Sequence, residues 1–163
     1  YVGSHSYGHL LYMPWENRDS LLVSQAEFET DLRKSYAQLA SFGIPYQAAP
    51  YFIPPYEYYN RTVADWAKGL GLQIINFTPG TLSNADYTTP DMGEKYRSSQ
   101  VIYDRILTVE AKEGLNGHLL LIHLGTDPRR TDKFYAAPLR KLIQTLRQRA
   151  YTFAPLKEAV GSR

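Results

Sequence analysis

Apolar residues recur along the chain with two periods, and the alternation between them predicts helices and strands in turn. Ser24-Gln25-Ala26-Glu27 has the pattern of a capping box, and Phe28, Leu32, Tyr36 and Leu39 follow at four- and three-residue spacing. Gly43 is placed to end that helix. Tyr51-Phe52-Ile53 is a short apolar run closed by Pro54-Pro55, a strand entering a rigid turn. Asn60 caps a second predicted helix with Val63, Trp66 and Leu70 on one face and Gly71 behind it. Leu72 to Phe77 reads as the next strand, followed by a long polar loop from Thr78 to about Lys95. Val101, Ile102, Tyr103, Ile106 and Val109 form a third helical stripe. His118 to His123 (HLLLIH) predicts a strand covered on both faces, with Leu119, Leu121 and Ile122 almost fully buried. Thr131 or Asp132 is expected to cap a last helix bearing Phe134, Leu139, Leu142, Ile143 and Leu146. Pro138 implies a distorted first turn there or a later start. Tyr151-Thr152-Phe153 reads as a final strand.

Strands alternating with helices across short links predict an α/β fold, a parallel sheet with outer helices. Five strands are expected, near residues 1–4, 50–53, 72–77, 118–123 and 151–153, within a single domain over 1–163. A closed eightfold barrel usually needs ~250 residues, so an open sheet or a partial barrel is the expectation. Tyr1-Val2-Gly3-Ser4 reads as the end of a strand entering a loop, so the N-terminal strands of the barrel are expected to lie on an upstream segment. An edge at Ser4 without its usual neighbour would invite association with another segment or another copy.

Composition narrows the classes. With 44% hydrophobic and 21% charged residues, the chain has enough apolar surface to offset the entropy of ordering. No stretch approaches the ~18 consecutive apolar residues of a membrane span, and a net charge of +2 gives no argument for nucleic acid. The absence of cysteine excludes a disulfide framework, a cysteine-ligated zinc site and a thiol nucleophile. Fourteen tyrosines supply rings with a polar tip, suited to gripping sugars and also to filling cores.

The residues able to do chemistry cluster after strands, at the carboxyl edge where parallel α/β folds place their sites. His5 and His9 follow the first predicted strand, Pro55-Tyr56 the second, Ser83 to Asp86 the third, and His123 closes the fourth. Two imidazoles four residues apart can meet on one divalent ion, or can simply hydrogen-bond to backbone. His123 has the side chain of a general acid near neutrality, and also that of a strand-end residue bonded into a loop. Asp86 and Asp127 are the nearby carboxylates, and His118 at the opposite edge is expected to be structural. Tyr56, Tyr58 and Tyr59 can form a sugar-stacking wall or pack beneath their loop. Arg129 and Arg130 read as a solvated pair at a helix start, with an acidic sugar as the other possible role.

Together these segments resemble the polysaccharide deacetylase (NodB-homology) family, carbohydrate esterase family 4. HSYGH, His5 to His9, is similar to the family's metal motif His-Ser/Thr-x-x-His. Phe52-Ile53-Pro54-Pro55-Tyr56 resembles its Arg-Pro-Pro-Tyr segment, with Ile53 where the family has the arginine that orients the base. Ser83-Asn84-Ala85-Asp86-Tyr87 is similar to its Asp-x-x-Asp-Trp segment, with Tyr87 for the tryptophan, and Leu120-Leu121-Ile122-His123 to its Leu-x-x-His segment. The resemblance covers nearly the whole chain and implies a distorted (β/α)7 barrel of which this is the C-terminal two-thirds. It implies a hydrolase, bacterial and extracellular or periplasmic, that removes acetyl groups from N- or O-acetylated polysaccharide. The metal would be zinc, or cobalt, nickel or manganese, on His5 and His9. His123 would be the acid with Asp86 orienting it, and the backbone N–H of Tyr56 would bind the oxyanion. Tyr56, Tyr58, Tyr59, Tyr87 and Leu121 would line the substrate. The family's Thr-Phe-Asp-Asp-Gly motif, with the base and the third metal ligand, is not in this sequence. The resemblance therefore implies an isolated chain without turnover, or a carbohydrate-binding scaffold of the same fold.

Overall fold

Ser24 opens the longest helix of a computed structural model that describes residues 1–161. In helix α1 (Gln25–Ser41) the Ser24 hydroxyl accepts from the Glu27 N–H, and the Glu27 carboxylate accepts from the Ser24 N–H at 2.8 Å. Both ends of the predicted capping box are therefore made. Gly43 follows the C-cap in the left-handed conformation, φ +79°, which glycine adopts without a Cβ penalty. The chain divides into two compact units, Tyr1–Asn76 and Phe77–Arg163, each with its own hydrophobic cluster.

The first unit is a small parallel α/β arrangement. Strand β1 (Tyr51–Phe52) pairs with β2 (Gln73–Ile74) in parallel, Tyr51 opposite Gln73 and Phe52 opposite Ile74. The crossover between them carries α2 (Arg61–Gly69), capped by the Asn60 side chain on the Val63 N–H at 3.0 Å. Ser4 joins the other edge of β1 through a single parallel bridge to Phe52. The expected strand over residues 1–4 is thus reduced to one paired residue, because the chain turns at once into the His5–His9 loop. Strand β2 is likewise shorter than the predicted 72–77. Phe28, Leu32, Phe52, Val63 and Ala67 fill the interior, with Tyr12 and Met13 from the loop before α1.

The second unit packs α3 (Ser99–Glu113) against α4 (Ala137–Gln148), with a short α5 (Leu156–Ala159) at the end. Ile102, Ile106, Phe134, Leu142 and Leu146 are buried between them. Helix α4 begins at Ala137, with Pro138 in its first turn, and not at a Thr131 or Asp132 cap. Asp132 is used elsewhere: its carboxylate accepts from the Ser99 N–H at the start of α3 and from the Tyr96 hydroxyl at 3.0 Å.

Two predicted strands do not form in this unit. Residues 118–123 form no strand ladder among the described residues; the Thr78 N–H donates to the Leu119 carbonyl at 2.9 Å and the Leu119 N–H to the Thr78 hydroxyl at 3.0 Å. Leu119, Leu121 and Ile122 are accordingly half-buried, not fully covered. The two-residue period survives, with Leu120 and Ile122 packed on the core. Tyr151 to Phe153 is also no strand: the Tyr151 hydroxyl accepts from the Leu115 N–H at 3.0 Å, and Phe153 is exposed. Arg130 is a further correction. It is fully buried, donating to the carbonyls of Thr88 and Arg97 and to the Ser99 hydroxyl, whereas Arg129 stays at the surface with Asp91 and Asp127.

Two buried tyrosines in the first unit predict how stability varies with pH. Burial pushes the phenols of Tyr12 and Tyr36 well above their usual range, helped by the Asp31 charge beside Tyr12 and by Tyr46 beside Tyr36. Unfolded tyrosines ionise near ~10, so the unfolded chain loses these protons first. Their contribution is therefore complete below pH ~10 and is lost as the pH rises beyond it. Tyrosinate absorbance and far-UV circular dichroism recorded together should show these two groups ionising only as the fold is lost. Their titration in the native protein near pH 10 would contradict this.

Candidate functional site

The His5–His9 loop turns away from β1 and is tied down at four consecutive amides, Ser6 to His9. The Ser6 N–H donates to the Ser4 hydroxyl at 3.1 Å, and the His9 N–H to the Ser6 hydroxyl at 2.9 Å. The Tyr7 and Gly8 N–H groups both donate to the Asp31 carboxylate, at 3.0 and 2.7 Å. Ser4 is itself buried against the Ser35 hydroxyl of α1, 2.8 Å away. This loop geometry turns the two imidazoles toward each other, Nε2 to Nε2 at 3.2 Å.

That separation tests whether the pair suits a divalent ion. Two nitrogens at ~2.0–2.1 Å from one tetrahedral ion stand ~3.3 Å apart, so the observed spacing fits two ligands of a single metal. His5 Nδ1 lies 2.8 Å from the Ile53 carbonyl oxygen, which fixes the proton on Nδ1 and leaves Nε2 its lone pair. The position where the resembled family has an arginine thus contributes its backbone oxygen. Among the described residues no group of three or more His, Asp or Glu side chains is arranged to hold a metal. The pair supplies two donors of a coordination sphere.

Tyr56 stands beside this pair, its ring 4.4 Å from that of His9. Pro54-Pro55 leads into a three-residue turn (Pro55–Glu57) in which Tyr56 and Glu57 are both left-handed, φ +59° and +52°. Ser6 and His9 have φ of +69° and +51°, and Leu82, before Asp86, has +58°. Among the described residues, five of the six non-glycine residues with positive φ therefore flank candidate chemistry. Such strain persists only where surrounding contacts hold it, and it gathers at functional sites. Trp15 extends the aromatic surface. Its ring is 5.5 Å from Tyr56 and 4.9 Å from Tyr58, and the Arg18 guanidinium covers Tyr58 at 4.4 Å. Trp15 and Tyr56 are exposed, while Tyr58 and Tyr59 pack partly against the core.

The second unit assembles a carboxylate–imidazole pair. Asp86 lies in a 3₁₀ turn (Ser83–Tyr87) and is fully buried. One of its oxygens accepts from the His123 backbone N–H at 2.8 Å, and the other lies 2.6 Å from His123 Nδ1. Gripping backbone and ring together fixes both position and tautomer, with the Nδ1 proton on the carboxylate side and Nε2 directed away from it. The His123 side chain keeps 31% of its surface exposed, and the Tyr87 ring lies 5.9 Å from it. Asp127 is occupied elsewhere. Hydrogen bonds from the Arg129 side chain and backbone lower its pKa to about 2, which makes it a poor proton acceptor near neutrality.

The first unit thus brings together His5, His9 and Tyr56, and the second Asp86, Tyr87 and His123. Leu121 is half-buried in the segment before His123. Asp31 and Trp15 were not found by reading the sequence. The only trace of Asp31 was a polar residue between Phe28 and Leu32 on an otherwise apolar helix face.

No family model matches the chain, and no curated protein matches it. Among solved structures, the chain is similar to a CE4 family pseudoenzyme from Bacillus anthracis, with a TM-score of 0.62 at 19% identity over 98% of this chain and 46% of that one. A mutant of the same protein, described as having restored enzymatic activity, matches with the same TM-score and identity over 47% of its length. The chain therefore spans less than half the length of the structures it matches. The likeness shows the CE4 fold, and this coverage is consistent with a partial barrel.

Proposed function

We propose that the chain carries the metal-binding histidines and the general acid of a CE4-type deacetylase acting on N- or O-acetylated polysaccharide. The observation that carries this reading is the 3.2 Å approach of the His5 and His9 Nε2 atoms, a spacing suited to one divalent ion, zinc or a similar metal. His5 and His9 hold that ion, and Ile53 orients His5 through its carbonyl. The ion supplies Lewis acidity toward an acetyl carbonyl and lowers the pKa of an attacking water. The Tyr56 N–H, on the first turn of its 3₁₀ segment, is a donor suited to the developing oxyanion. His123 gives a proton to the departing amine or sugar alcohol, and Asp86 keeps its ring and tautomer fixed. Tyr56, Tyr58, Tyr59, Tyr87 and Leu121 contribute apolar surface to the sugar. A polysaccharide substrate implies work outside the cell or in the periplasm.

Three carboxylates that could serve as a base for the water are engaged elsewhere. Asp86 is committed to His123, Asp127 to Arg129, and Asp31 to the loop amides. That observation, with Ile53 in place of the family's arginine, favours a second reading: a carbohydrate-binding scaffold without turnover. Acetylated chito- and xylo-oligosaccharides, titrated against the chain with and without zinc, separate the possibilities when acetate release is followed in parallel. The first reading expects zinc-dependent binding of the acetylated sugar with negligible release by this chain alone. Equal binding with and without zinc supports the scaffold. Zinc-dependent release abolished by His123→Ala would show that the chain does contain its base. Failure of every acetylated sugar to bind would contradict both readings.

A further inference from the structure

We propose that Asp31 is a positioning residue that holds the His5–His9 turn in the form that converges the two imidazoles; its consequence for metal affinity rests on the function proposed above. Four consecutive amides, Ser6 to His9, donate to side-chain oxygens, and the central two belong to Asp31 alone. Ser6 lies within the loop and moves with it, while Ser4, just before the loop, is held by the Ser35 hydroxyl of α1 and by its bridge to Phe52. Asp31 is on α1, whose packing on the core through Phe28 and Leu32 gives it a fixed origin. Its carboxylate is therefore what ties the middle of the turn to the rigid part of the unit.

Asp31 is 7% exposed, and charge-assisted bonds of 2.7 and 3.0 Å satisfy one carboxylate oxygen each. Burying an acidic group without such donors is costly, so its presence on the inner face of α1 is accounted for by the turn it holds. Gly8 completes the fit. A Cβ built there would lie 2.9 Å from Asp31 Oδ1, too close for any other residue without displacing the carboxylate. Releasing Tyr7 and Gly8 would also loosen the turn between the left-handed Ser6 and His9. The Nε2 atoms would then separate, and one ion would lose a ligand.

The test compares the chain with Asp31→Ala, Asp31→Asn and Gly8→Ala, using cobalt(II) titration followed by its visible absorption, amide hydrogen exchange, and circular dichroism as the check on folding. Partners that orient metal ligands typically change metal affinity by about 10–100-fold when removed. Asp31→Ala should lose affinity in that range, with Asp31→Asn intermediate because it keeps one acceptor oxygen. Gly8→Ala should weaken cobalt with Asp31 intact. The Tyr7 and Gly8 amides should be protected in the parent chain and exchange at least tenfold faster in Asp31→Ala. Unchanged affinity and protection in a folded Asp31→Asn would overturn the proposal, whatever Asp31→Ala does. If the parent chain takes up no cobalt, the metal reading fails, and amide protection alone decides whether Asp31 holds the turn.

Discussion

Arg130→Ala is expected to cost the second unit about 3–5 kcal/mol, the range for breaking a buried charged network by removing one member. Its guanidinium is fully buried and donates to the Thr88 carbonyl at 2.6 Å, the Arg97 carbonyl at 3.0 Å and the Ser99 hydroxyl at 3.1 Å. Asp132 approaches its Nε at 3.6 Å, and the Tyr96 ring lies 5.6 Å away. Alanine would leave these acceptors buried without donors beside an empty volume. Arg130→Lys should recover only part of the loss, since one ammonium cannot reproduce the planar fork. Urea unfolding of the three proteins measures this. A loss below about 1 kcal/mol for Arg130→Ala would show that water replaces the guanidinium at little cost.

Phe28→Ala is expected to be as damaging in the first unit, at about 3–5 kcal/mol. The ring is fully buried and meets Tyr12, Phe52 and Trp66, with centroids at 5.2, 6.2 and 5.6 Å. It therefore joins α1, β1, α2 and the loop before α1, so truncation leaves a cavity that no single neighbour can close. Phe28→Leu, which keeps most of the volume, should cost far less. Comparable losses for the two variants would mean that ring geometry and not volume governs this core.

Elements fixed by local chemistry were legible in the sequence. The Ser24 and Asn60 caps, the positions of α1, α2 and α3, and the Gly43 and Gly71 stops rest on interactions within a few residues. Elements that depend on a partner strand were not. HLLLIH has the composition of a covered strand, yet its hydrogen bonds run to Leu115, Thr78 and Asp86 and form no strand ladder among the described residues, and its leucines stay half-buried. Arg130 was misread for a related reason: its acceptors are the backbone of Thr88 and Arg97, about which the residue types around Arg130 say nothing.

The candidate site divides in the same way. His5, His9, Asp86 and His123 stood out by residue type and by their place after predicted strands, and Tyr87 through the family resemblance. The supports were not legible: Asp31 is 22 residues beyond His9 and acts on amides, and the Ile53 carbonyl is common to every residue type. The left-handed Ser6, His9 and Tyr56 were likewise hidden, since none is a residue that favours that conformation as glycine does. Trp15 entered the picture only through its contacts with Tyr56 and Tyr58.

Zinc and cobalt titration of the chain, with His5→Ala and His9→Ala in parallel, tests the central claim most directly. The account predicts one ion per chain in the parent protein and a large loss of affinity in either variant, with folding unchanged by circular dichroism. Uptake that survives both substitutions, or no uptake by the parent chain, would contradict it.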